Sequence, residues 1–154
     1  MLNLPKRGMF LLSAVLFLVF STVKAACAEP VLNDLQSNPV DISENTGRPR
    51  ILFFWTTWCP YCRSELKVLD GMYPQIKKEG IDVLAVNIGE PGYKVEKFLK
   101  GRSLGIRVLL DRYGRASDKY KIRGVPTYIC VGSDGQVVSV GHVFPEDYKE
   151  ILLK

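Results

Sequence analysis

Two nearly uninterrupted apolar runs, Ile51–Trp55 (ILFFW) and Ile81–Ile88 (IDVLAVNI), bracket a stretch of helical periodicity. No other feature constrains the fold of this chain as strongly. Short apolar runs rich in β-branched and aromatic residues suit strands buried on both faces. Between them, from Pro60 to about Glu79, Leu66, Leu69, Met72, Tyr73 and Ile76 recur near helical spacing, and Pro74 is expected to end or kink that helix. The rest continues the alternation. Gly89-Glu90-Pro91-Gly92 reads as a loop, Tyr93–Lys100 as a helix with a solvated lysine face, Arg107–Leu110 as a short strand and Ser117–Ile122 as a helical turn or two. Thr127–Val131 and Val137–Val143 flank Ser133-Asp134-Gly135-Gln136, and Asp-Gly between apolar runs is a hairpin signal. Glu146–Lys154 closes the chain as a helix, with Pro145 near its first turn. Residues 29–50, with Pro30, Pro39, Gly47 and Pro49, read as an extended lead-in holding one short strand at most. The order β-α-β-α-β-α-β-β-α predicts an α/β domain with a mixed central sheet flanked by helices.

The start of the chain is of another kind. Lys6-Arg7 precede Gly8–Val23, in which Ser13, Ser21 and Thr22 are the only polar side chains, and Ala26-Cys27-Ala28 follows. A basic start, an apolar run and small residues at alternate positions are the layout of a secretory signal, with cleavage expected after Ala28. The run of 16 residues is slightly short for a membrane span. An uncleaved N-terminal anchor and lipid attachment at Cys27 stay open, although Lys24 sits where a lipoprotein signal has a leucine-like residue. Each version places residues 29–154 outside the cytoplasm, where disulfides persist. The three basic residues of this segment account for most of the charge: without them the net charge falls from +5 to +2. A balance that mild does not argue for nucleic acid. A 126-residue remainder of the 154 is enough to bury a core without a disulfide scaffold or a metal.

The chemistry concentrates at Trp58-Cys59-Pro60-Tyr61-Cys62, where the first core strand gives way to the helix. A helix N-terminus presents unpaired N–H groups and about half a positive charge. A thiolate at Cys59 is stabilised there, which makes Cys59 the expected nucleophile. Two intervening residues bring Cys62 back across one turn, placed to attack a mixed disulfide at Cys59 and release the substrate. Pro60 fits the first turn, because its missing N–H costs nothing there. Cys-x-x-Cys alone also fits half of a zinc site or an inert disulfide. Only Cys27, Cys130 and His142 remain as further zinc ligands, and they form no second close pair. The second signal is Gly124-Val125-Pro126-Thr127 before a strand. Read locally, Pro126 is an ordinary trans-proline at a strand start. A cis bond would make a tight turn and leave the Val125 backbone to pair with an extended substrate segment.

Trp-Cys-x-x-Cys after an apolar strand, Val-Pro-Thr about 60 residues later, and the element order together resemble the thioredoxin superfamily over residues 30–154. The leader and the run Cys59, Cys62, Glu65 are similar to its extracytoplasmic TlpA/ResA-like branch. The resemblance implies a thioredoxin-like fold and thiol–disulfide exchange with no metal or other cofactor beyond the Cys59–Cys62 pair. It implies an exposed attacking thiol at Cys59, a buried resolving thiol at Cys62 and a cis-proline at Pro126 facing them. Glu65 matches an acidic residue that tunes the thiols and passes protons. Expected partners are exported proteins with cysteine pairs and a membrane thiol–disulfide electron donor, with cytochrome c assembly a common setting, and the chain is expected to be a monomer. Reduction of substrates is the expected direction. Oxidation or isomerisation, and a non-catalytic binding or metallochaperone module, are the alternatives.

The chain departs from that pattern in three places. Lys67 stands where a helix-kinking proline is common, Thr127 and Tyr128 follow the proline where an acidic residue is common, and Cys130 is extra. Glu65 shares a helical face with Cys62, so its carboxylate bears on the thiol through like-charge repulsion and proton transfer. Trp58 is expected to flank the attacking sulfur and Tyr61 to influence its redox poise. Trp55 and Cys130 are expected in the core. His142, the lone histidine, has no evident partner and is expected to be structural or on the surface.

Overall fold

The structure, a computed structural model, describes residues 30–42 and 47–154. The leader expected over residues 1–28 lies outside them. In chain order the elements are β1 (Val31–Asp34), β2 (Pro39–Asp41), β3 (Arg50–Trp55), α1 (Pro60–Lys78), β4 (Asp82–Ile88), α2 (Gly92–Leu99), β5 (Arg107–Asp111), α3 (Arg115–Lys119), β6 (Thr127–Val131), β7 (Val137–Gly141) and α4 (Tyr148–Leu152). The strands form one sheet in the order β2-β1-β5-β4-β3-β6-β7. β3, β4 and β5 run parallel, while β6 joins β3 and β1 joins β5 antiparallel. This is the mixed, helix-flanked sheet that the alternating pattern predicts.

All six residues of β3 are buried, because the sheet is covered on both sides. Successive residues serve opposite faces. Phe53 and Trp55 pack with Leu66, Leu69 and Ile76 of α1, Val95 of α2 and Leu152 of α4. Leu52 and Phe54 pack with Leu32, Leu109, Ala116 of α3 and Ile129. The absence of hydropathic alternation in ILFFW is therefore the mark of two cores sharing one strand. It also places the C-terminal end of β3 between two packed layers, where the next residues have little freedom.

One expectation changes. The lead-in holds two strands, not one. β1 and β2 form an antiparallel hairpin, and Asn33 and Asp34 of β1 stand opposite Leu110 and Leu109 of β5. Asp34 organises its turn: its carboxylate accepts the N–H groups of Gln36 and Asn38 at 3.0 and 2.8 Å and pairs with Arg107 at 2.6 Å. Pro39 is accommodated because β2 is an edge strand. α1 runs through Pro74 to Lys78, close to the expected span of Pro60 to about Glu79, so Pro74 does not end it. A proline removes one helical donor; here Leu69 and Ile76, buried on either side of it, keep the helix packed on the sheet. The far end of α1 is fastened to α4, where Tyr148 donates to Glu79 at 2.8 Å and Lys149 pairs with Glu79 at 2.7 Å.

Candidate active site

Thr56 and Thr57, both buried, lead from β3 to Cys59, which caps α1 with φ −79° and ψ 113°. The N–H of Cys62 donates to Cys59 Sγ at 3.1 Å, so the sulfur takes the place that a serine or aspartate oxygen fills in an ordinary N-cap. Pro60 opens the helix, and no acidic side chain lies in its first turn to oppose a sulfur anion. Cys59 and Cys62 are joined in a disulfide with Cα atoms 5.2 Å apart. The attacking sulfur is less accessible than expected: in the disulfide form Cys59 is 4% exposed and Cys62 0%. What stands out around it is the aromatic rim, Trp58 at 63% exposed and Tyr61 at 78%, while Trp55 is buried against Phe98.

The loop before β6 closes the other side. The Val125–Pro126 bond is cis, and Cys59 Sγ lies 3.9 Å from the Val125 carbonyl oxygen. The Thr127 hydroxyl donates to the Gly124 carbonyl at 2.7 Å. His142, just beyond β7, has the partners that its sequence context conceals: its Nδ1 lies 2.8 Å from the Pro126 carbonyl oxygen and 3.2 Å from Thr127 Oγ1. A carbonyl oxygen only accepts, so Nδ1 carries the proton.

Glu65 is half-buried one turn after Cys62, and Tyr128 Oη donates to its Oε2 at 2.7 Å. Burial, and then the neighbouring carboxylate, push the Tyr128 phenol above its ordinary range. Tyr128 packs against Phe53 at 4.8 Å and edge-on to Phe144 at 5.7 Å. Cys130, two residues on, is buried; burial first and then the charge of Asp147 push its thiol up to about 11.

Glu90 is the residue that sequence reading passed over as part of a loop. Its buried carboxylate accepts the Thr57 N–H at 2.6 Å, the Thr57 hydroxyl at 2.7 Å and Asn87 Nδ2 at 2.9 Å, and pairs with Lys94 at 2.7 Å. One sequence signal pointed there: Asn87 is the lone polar residue in the run from Val83 to Ile88. Beside the disulfide, a cleft of about 580 Å³ is bounded by Trp58, Pro91, Lys94, Asp118, Arg123 and Val125. Among the described residues, no three or more His, Cys, Asp or Glu side chains are grouped to hold a metal ion.

A cysteine pair capping the helix that leaves the central strand, apposed to a cis-proline loop, defines a thiol–disulfide oxidoreductase of thioredoxin-like fold. The chain belongs to the AhpC/TSA family, whose sequence pattern matches residues 23–140. It is 34% identical over 124 residues to the thiol-disulfide oxidoreductase ResA of Geobacillus kaustophilus, a match covering 79% of this chain and 71% of that one. StoA from Bacillus subtilis is similar in structure, with a TM-score of 0.65 and 25% identity over 73% of this chain and 86% of that one. A secreted disulfide oxidoreductase of Mycobacterium tuberculosis shares the fold, with a TM-score of 0.65 at 21% identity over 77% and 85% of the two chains.

Proposed function

We propose that this enzyme reduces disulfides of exported proteins on the outer side of the membrane, receiving electrons from a membrane thiol–disulfide donor. The observation that carries the exchange chemistry is the Cys59–Cys62 pair at the N-terminus of α1, where a sulfur is stabilised as an anion, and the reducing direction is supported by the likeness to the ResA-like branch. Cys59 attacks the substrate disulfide, and Cys62 resolves the mixed disulfide and releases the reduced substrate. Glu65, on the face of α1 that carries Cys62, takes the proton that Cys62 loses. An extended substrate segment pairs with the Val125 backbone beside Pro126 and meets Trp58, Pro60 and Tyr61. The electrons reside in the cysteine pair, so the exchange needs no metal or other cofactor. The basic and apolar leader supports a place outside the cytoplasm, tethered or secreted, and the likeness to the ResA-like branch favours cytochrome c maturation as the setting. The chain acts as a monomer.

The test is the reduction potential of the pair by glutathione or dithiothreitol equilibrium at neutral pH. A value of about −250 mV or lower, beside thioredoxin, is expected of a reductant. A value near −120 mV, beside DsbA, makes the protein an oxidant of exported thiols. A pair with no reversible two-electron couple leaves only a binding module. In addition, C62A accumulates a covalent complex with an exported dithiol protein, visible on non-reducing gels, whereas C59A forms none.

A further inference from the structure

We infer that Tyr128 is a positioning residue for the exchange reaction, its hydroxyl holding the Glu65 carboxylate where it takes the proton of the Cys62 thiol. The inference rests on the reading of Glu65 given above. It begins with strand geometry. Tyr128 is the second residue after Pro126, and alternation along β6 turns its side chain to the face covered by α1. There it stands opposite Phe53 of β3 and is 1% exposed, its ring held between Phe53 and Phe144. A ring packed on these sides leaves its hydroxyl one position, and that position is 2.7 Å from Glu65 Oε2. The glutamate has three torsions and is only half-buried, so without this contact it exchanges freely with water. Burial keeps the phenol protonated, so it remains a donor throughout the range in which thiols react.

The step balances as follows. With Cys59 joined to a substrate sulfur, the Cys62 thiol gives its proton to the Glu65 carboxylate. The Cys62 thiolate attacks Cys59 Sγ, the Cys59–Cys62 bond forms and the bond to the substrate breaks. The departing substrate thiolate regains a proton from Glu65 or from water. Two electrons pass from the cysteine pair to the substrate disulfide.

The two attacks are separable with dithiobis-nitrobenzoate, which releases one coloured thiolate when Cys59 attacks and a second when Cys62 resolves. The experiment uses the reduced full chain carrying C27S, so that the remaining thiol outside the site is the buried Cys130. In Y128F, which keeps the ring, the first phase stays within about twofold and the second slows about tenfold, the effect of losing one hydrogen bond to a charged group. E65Q slows the second phase at least as much, and the Y128F/E65Q pair is no slower than E65Q alone, because both substitutions remove the same device. If Y128F lowers the melting temperature but leaves the ratio of the phases unchanged while E65Q slows the second, Tyr128 is only structural and the inference is wrong. Effects that multiply in the double variant overturn it as well, since the residues then act independently. If E65Q itself leaves the second phase unchanged, the proton-transfer reading of Glu65 fails, and this inference fails with it.

Discussion

Thr57 and Glu90 are 33 positions apart in the chain, yet the Glu90 carboxylate accepts both the backbone N–H and the hydroxyl of Thr57, at 2.6 and 2.7 Å. The turn that delivers Cys59 is thereby tied to the loop after β4. Substituting Glu90 with glutamine keeps the shape but points an amide donor at the donors of Thr57, Asn87 or Lys94. E90Q is expected to destabilise the oxidised protein by about 2 kcal/mol, the cost of breaking buried hydrogen bonds to a charged group. Denaturant unfolding checks this; a loss below about 0.5 kcal/mol, typical of surface substitutions, removes Glu90 from that role. The pH dependence has a definite sign. Burial pulls the Glu90 pKa upward, but the hydrogen bonds from Lys94, Thr57 and Asn87 outweigh it and hold the carboxyl below its ordinary 4.5. A depressed native pKa contributes stability in full above the unfolded value and loses it as the pH falls. E90Q therefore lacks that part of the acid sensitivity of the wild type.

Asp34 gives a second acid-sensitive contact, at the opposite side of the sheet. Burial raises its pKa, but Arg107 and Asn38 more than reverse this and hold the carboxyl at about 2, against an ordinary 3.8. Its contribution is complete above pH 3.8 and disappears as the pH falls toward 2. Urea midpoints measured across that range should fall more steeply for the wild type than for D34N. Parallel curves would show that the Asp34–Arg107 pair is idle.

Cys130 should be chemically silent in the folded protein. Its thiol is buried and pushed up to about 11, so the thiolate that alkylating reagents need is scarce at pH 8. Iodoacetamide is expected to label it only after unfolding, read by intact mass. Labelling of the native protein on the timescale of an exposed thiol would contradict the packing of β6.

The aromatics near the site divide into a packed and an exposed group. W55A should cost about 3–5 kcal/mol, because it opens a cavity in the core layer that also holds the cysteine pair. Y61A should leave stability within about 0.5 kcal/mol, because the ring faces water. Exchange rates with a protein substrate, measured beside a small disulfide, should show Y61A impaired more toward the protein. Equal loss toward both would place Tyr61 in the redox chemistry and not in docking.

Most of this fold was legible in the chain because its signals are local. ILFFW and the run to Ile88 are apolar because their strands are covered on both faces, and the helix start at Cys59-Pro60 follows from residues adjacent in sequence. The same locality made the Cys59–Cys62 pair readable, since one helical turn joins it. What resisted reading was fixed by contacts across the sheet. The lead-in becomes two strands only because β5 offers β1 an edge and Arg107 offers Asp34 a partner. Pro74 stays helical because packing on either side of it outweighs one missing donor. Glu90 looks like loop, and His142 and Tyr128 show no polar partner, until residues 33, 16 and 63 positions away meet their polar atoms. Periodicity and capping act over a few residues and leave their mark on neighbouring letters. A buried hydrogen bond between distant residues leaves no such mark, because its partner is chosen by which strands lie side by side.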